Sequence, residues 1–219
     1  NTLMRVYSQM GGLYQRVAAF ENERIADSNA ERLAWQICDT LSALRLMWAQ
    51  ACCLYDSRNQ SQAIMILDSI DMFTRKNGMR EQTKILYPMR IDYHLDIKDV
   101  KGADSLLREY EYKMGIRPDS PDEEIYDIAH FYRKGRYDLL IQSPNSAIQM
   151  FQRYLRLIEN RSFYNGIQHS LREVCYQGLT EAYSLKHNPD SVIKYANLYC
   201  QWNDSSTRAK SSEHLLRYQ

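Results

Sequence analysis

The side chains able to do acid–base, nucleophilic or metal chemistry are scattered. His94, His130, His169, His187 and His214 stand in five separate stretches of the 219-residue chain. Asp127 and His130, with Glu123 and Glu124 one turn earlier, come nearest to a metal-binding pattern. Three residues apart on a helix they share a face, as the ligand pairs of di-iron bundles do, but that chemistry needs a second such pair on a facing helix. Asp92 and His94 are two apart and diverge. These acids therefore read as a solvated first helical turn, favoured by the helix dipole. Cys175 and His169, six apart, fall on different faces and make no nucleophile–base pair. Gly-rich phosphate loops, HExxH, GxSxG and CxxC are absent from the sequence. The expectation is a chain with no catalytic residues, no metal and no cofactor.

Five cysteines, an odd number, form no disulfide framework: Cys52 and Cys53 are adjacent in a helical stretch, where side chains point about 100° apart. Cys38, Cys175 and Cys200 are isolated, so all five read as packed free thiols. Lys and Arg number 28 against 27 Asp and Glu, leaving no field that would draw nucleic acid or an acidic membrane. Two basic clusters remain, Arg75-Lys76 with Arg80 and Lys84, and Arg133-Lys134-Gly135-Arg136 among Phe131, Tyr132 and Tyr137. Both read as solvated helix faces, with no nucleic acid bound. Eight Gly and five Pro are too few for the turns of a β-sandwich, and no apolar run approaches the roughly 18 residues of a membrane span.

What must position any site is a set of helices. An apolar period near 3.6 predicts helices over 3–24, 28–38, 41–57, 60–76, 80–96, 100–114, 121–141, 144–159, 165–186, 189–202 and 206–219, with no sheet. Tight links with capping residues (56–59, 96–99, 142–145, 186–190) alternate with longer ones, so the helices are paired. Pro144 and Pro189 sit at helix starts, while Pro88 falls inside a predicted helix and predicts a kink.

The pairs repeat. Anchoring on Ala30, Ala63, Ala103, Ala147 and Val192, large residues stand sixteen positions upstream (Tyr14, Met47, Tyr87, Phe131, Tyr176). Mostly small ones stand twelve upstream (Ala18, Ala51, Ile91, Gly135, Thr180), and apolar ones four downstream (Ala34, Leu67, Leu107, Phe151, Ala196). The alternation lets antiparallel helices approach closely. This pattern resembles the tetratricopeptide repeat (TPR) over nearly the whole chain, departing from it at Ile91 and in its longer later periods. The resemblance implies an all-α, right-handed superhelix of antiparallel helix pairs: about five hairpins over 1–205 and a capping or connector helix over 206–219.

A narrower stretch, Asn188 to Tyr195 followed by Trp202-Asn203-Asp204-Ser205, is similar to the last repeat of Bacteroidetes membrane-anchored sensor-regulators with histidine kinase or helix-turn-helix output. It implies a periplasmic sensing region, joined to the membrane only through a downstream segment; Asn1 is not Met and 206–219 ends inside an amphipathic run, so the chain reads as part of a longer protein. The alternatives are a soluble cytoplasmic scaffold and a small-molecule or glycan-binding helical domain. First helices of stacked hairpins line a concave face. Positions 18, 15, 11 and 8 before each anchor place Arg45, Trp48, Tyr55, Asp92, Tyr132, Arg136, Gln177 and Glu181 there, to bind a protein or peptide partner.

Overall fold

The computed structural model describes residues 2–16, 19–117, 120–121, 127–160 and 168–215. Its helices are α1 (Thr2–Arg16), α2 (Phe20–Gln36), α3 (Thr40–Asp56), α4 (Gln60–Lys76), α5 (Tyr87–Asp96), α6 (Val100–Met114), α7 (Ala129–Leu140), α8 (Pro144–Glu159), α9 (Gln168–Leu185) and α10 (Pro189–Leu215). A 3-10 segment, Arg80–Leu86, precedes α5, and no strand occurs among the described residues.

Helices form where buried residues recur at three- and four-residue intervals. In α8 these are Ala147, Ile148, Phe151, Tyr154, Leu157 and Ile158, with Pro144 at the helix start where its missing N–H is harmless. Within the pairs the chain reverses by one device. The sixth residue's N–H donates to the carbonyl five back: Asn59 to Leu54, Asp99 to His94, Ser143 to Asp138 and Asn188 to Tyr183. The preceding Arg58, Lys98, Gln142 and His187 all hold a left-handed backbone without being glycine. The residue after each immediately precedes the next helix, and at Asp99 the side-chain carboxylate caps it by accepting the Gly102 N–H at 3.1 Å.

Four expectations change. The predicted break between 24 and 28 does not exist: α2 runs through it, and the non-helical residue is instead Ala19, just before Phe20. Ala26, Asp27, Ala30 and Ala34 form one buried stripe, which overrides the turn preference of Ser28 and Asn29. Pro88 lies in the first turn of α5, and the segment before it tightens to 3-10 geometry, so the predicted kink is a helix start. The helix predicted from 121 begins at Ala129, and 122–126 lie outside the described residues. The predicted helices 189–202 and 206–219 are one helix to Leu215, with 216–219 outside the described residues. The start of the predicted 165–186 helix, 165–167, is likewise outside them.

The first of these changes resets the repeat. Ala19 donates its N–H to the Tyr14 carbonyl five back, so the turn before α2 matches those at 59, 99, 143 and 188. By that register the anchor of the first pair is Glu23, not Ala30. Gly11 then stands twelve upstream, Tyr7 sixteen upstream and Asp27 four downstream. The first interval becomes 40 residues, equal to the second.

The chain divides into two compact units, 1–90 and 91–219. The first is built on Leu44, Ala51, Ala63, Leu67, Ile70 and Leu86, with Met4, Ala30, Ala34, Ala43 and Leu46 packed toward its start. The second is built on Phe131, Phe151, Tyr154, Leu157, Cys175 and Leu179, with Ile91, Ala103, Leu107 and Tyr110 also buried.

Candidate functional site

In the first unit, α1, α2 and α3 enclose a groove of about 390 Å³. One wall is Arg5, Ser8, Gly12 and Gln15 of α1, which are the positions 18, 15, 11 and 8 before Glu23. The other wall is Ser42, Arg45 and Ala49 of α3, and the floor is Glu23 and Asp27 of α2. Arg45, predicted for the site, is exposed there. None of these α1 residues is among the expected ones: Gly12 and Gln15 also stand 18 and 15 before Ala30, but Arg5 and Ser8 take these spacings only from Glu23, which is not small. Gly11 and Tyr7, correctly spaced before it, carried the missing signal.

The floor is unusual. The four later pairs place Ala, Ala, Ala and Val at the anchor and Leu, Leu, Phe and Ala four residues on. Here Glu23 and Asp27 are 2% and 4% exposed, and neither forms an ion pair among the described residues. Glu23 Oε2 has no hydrogen-bond partner. Burial raises the Glu23 carboxyl against the lowering effect of the neighbouring Cys53 thiol. Burial, reinforced by the charge of Glu23, pushes Asp27 up to about 6. Gly11 makes room for it: a Cβ at that position would stand 2.1 Å from Asp27 Oδ1.

In the second unit a groove of about 440 Å³ lies between α9 and α10. Gln177 and Glu181, both predicted and both exposed, line it with Ser184, Val192, Ala196 and Tyr199. These three α9 residues are the positions 15, 11 and 8 before Val192.

The other predicted residues divide differently. Trp48 is 38% exposed on α3. Tyr55 is half-buried against the Leu44, Leu67 and Leu86 core. Asp92 and Arg136 face one another: Arg136 Nη1 donates to Asp92 Oδ1 at 3.1 Å, and Arg133 Nε donates to Asp92 Oδ2 at 2.9 Å. Arg133, which the spacing rule passed over, also donates to Asp127 Oδ2 at 3.2 Å. Arg136 pairs with Asp96 as well and lies over the Tyr132 ring. Tyr132 packs on Phe151 and Tyr154. These three residues thus hold α5, α7 and α8 together.

Asp127 is not helical, so it does not share a helix face with His130. It accepts the Tyr110 hydroxyl at 2.8 Å, while buried His130 Nε2 lies 3.1 Å from Glu111. Glu123 and Glu124 lie outside the described residues. The Cys175 thiol is buried, raised in pKa by that burial, and donates to the Phe151 carbonyl at 3.2 Å. Burial likewise pushes Cys52 and Cys53 up to about 12; all five cysteines are free, but Cys38 and Cys200 are exposed rather than packed. In the basic cluster of α7, Arg133 and Arg136 are committed to ion pairs and Gly135 lies under the Phe151 ring. No helix among the described residues is long and apolar enough to cross a membrane.

No protein-family model matches the chain, and no curated protein does. Among solved structures, the crystal structure of MamA protein matches with a TM-score of 0.51. It covers 94% of this chain and 94% of that one at 12% identity. Together with the paired helices and the recurring turn, this likeness shows the fold: an all-α, TPR-like helical repeat.

Proposed function

We propose that this chain is a non-catalytic protein-interaction module that takes a peptide or protein partner along the grooves lined by its first helices. The observation that carries the reading is a coincidence of register. The same repeat positions line an open groove in each unit: Arg5, Ser8, Gly12 and Gln15 in the first, Gln177, Glu181 and Ser184 in the second. Repeat folds bind through such stacked positions, because successive units present them on one surface. Arg45 and Trp48 add the residue types that anchor interfaces.

The test is selection of peptides from a random display library on the intact chain, followed by affinity measurement for the enriched sequences. Replacing Arg45 and Trp48 by Ala is expected to weaken binding at least tenfold with helicity unchanged. Met65→Ala and Met72→Ala, on an exposed face of α4 away from both grooves, are expected to leave it unchanged. Binding that survives the first pair and is lost with the second would overturn the assignment. Arg136 is a poor probe, since its removal strips Asp92 and Asp96 of a partner.

The finer reading places this module in the periplasm as the sensing region of a membrane-anchored regulator, with α10 as the connector to its output. The resemblance of 188–205 supports it, and an unbroken α10 is compatible with mechanical transmission. Fractionation of the native protein with an antibody to this chain tests it. A membrane-bound species much larger than the chain is expected, and a soluble species of about the chain's own size would overturn it.

A further inference from the structure

Two buried carboxylates at positions where the other four pairs carry apolar or small residues need a reason. An ionised carboxylate removed from water without a partner is costly, and such a pair is retained where something compensates it. Glu23 Oε2 is buried, lacks a hydrogen-bond partner and belongs to the floor of the first groove. Asp27 lies beside it one turn on, in a space that exists only because residue 11 is glycine. Met4, Leu46 and Ala49 give the groove apolar wall above that floor. An open groove with an apolar strip at Met4, Leu46 and Ala49 and two buried carboxylates in its lining matches an unbranched aliphatic stem carrying a cation. Two carboxylates are fewer than the oxygen ligands a divalent metal takes, and among the described residues no group of three metal-ligating side chains occurs.

We infer that the groove floored by Glu23 and Asp27 is a binding site for a primary alkylammonium group, that of a lysine side chain on a peptide partner. The ammonium offers three donors to the two carboxylates, and its methylene stem lies along Met4 and Leu46. Arg5 and Arg45 stand exposed at the mouth, where they meet backbone carbonyls of the incoming peptide. The inference rests on the peptide-binding reading for its source of ammonium, but the chemistry of the floor stands apart from it.

The groups facing the carboxylate pair are Arg5 from α1 and Arg45, Cys52, Cys53 and Asp56 from α3. Binding of the ammonium is expected to weaken as pH falls through about 6, where Asp27 takes up a proton.

The probes are N-acetyl-Gly-Lys-Gly-amide, its isostere with norleucine in place of lysine, and butylamine, each titrated calorimetrically into the full chain. The lysine peptide is expected to bind, and the norleucine peptide at least tenfold more weakly. Glu23→Gln combined with Asp27→Asn keeps shape and removes both charges, so the protein folds and the preference for lysine over norleucine disappears. Gly11→Ala keeps both charges but displaces the Asp27 carboxylate, and is expected to weaken lysine binding severalfold. Butylamine bound as tightly as the lysine peptide would assign the site to free amines and support the same chemistry. Equal binding of lysine and norleucine peptides, or an unchanged preference in the double variant, would overturn the inference. Peptides selected through Trp48 without any lysine preference would overturn it while leaving the proposed function intact. Binding of butylamine with no peptide captured at all would do the reverse.

Discussion

Asp27 shows how one residue can mark a site by weakening the fold around it. Its carboxyl is raised from the ordinary 3.8 to about 6, so the folded chain holds that proton more tightly than the unfolded chain does. The resulting destabilisation is complete above pH 6 and is relieved as pH falls from there toward 3.8, the opposite of a salt-bridged carboxylate. The shift corresponds to about 3 kcal/mol at most. Asp27→Asn is therefore expected to raise stability at pH 8 by about 1–3 kcal/mol and to have little effect at pH 4. Urea midpoints of the two proteins at pH 4, 6 and 8 measure it, and the difference between them cancels the titration of other groups. A variant no more stable than the parent at pH 8 would mean that the Asp27 charge is compensated. Asp27→Leu, the residue that two other pairs carry at this position, is expected to stabilise similarly. The acids were visible in the sequence only as polar letters. Their burial came from the register of α1, which a small-residue anchor could not reveal.

At the scale of elements, one aromatic ring fixes three helices. Phe151 of α8 is fully buried between Gly135 of α7 and Gly178 of α9. A Cβ on Gly135 would come 2.6 Å from the ring, and one on Gly178 2.5 Å. Glycine in a helix interior costs roughly 1 kcal/mol against alanine, so both positions spend helix propensity for close approach. Gly135→Ala is expected to destabilise the protein by about 1–3 kcal/mol despite that gain, because the ring has no room to retreat. Combining it with Phe151→Leu should cost less than the two changes added together, a coupling of about 1 kcal/mol or more. Thermal or urea unfolding of the four proteins closes the cycle; strict additivity would mean that the ring and the glycine do not meet. This packing was legible, since Phe131, Gly135, Ala147 and Phe151 stood at repeat spacing in the sequence. The helix ends were less so. Arg58, Lys98, Gln142 and His187 take left-handed turns that glycine usually marks, and nothing local in their side chains announces it. In α10 the polar run Asn203 to Ser205 resembled a turn, yet a helix with neither Gly nor Pro in its interior has no compulsion to stop.

For the whole molecule the question is how far a local change travels. Hairpins in a repeat protein touch chiefly their neighbours, so stability is a sum of local and nearest-neighbour contributions rather than one global quantity. In this chain the carboxylates at 23 and 27 belong to one compact unit, and the Phe151 core belongs to the other. Relief of the buried charge should therefore be felt where it arises. At pH 7.5, Asp27→Asn is expected to slow amide hydrogen exchange in α2 and α3 about tenfold, the factor that about 1.4 kcal/mol gives. Exchange in α8 and α9 should stay within twofold of the parent. Gly135→Ala should do the reverse, speeding exchange in α7 to α9 and sparing α2 and α3. Equal changes in both units from either substitution would show that the chain opens as a single cooperative body, whose stability could not be apportioned among its hairpins. Separate responses would mean that the first groove can carry its buried acids without weakening the second, which frees one hairpin to specialise while the rest keep the alanine and leucine pattern of the repeat.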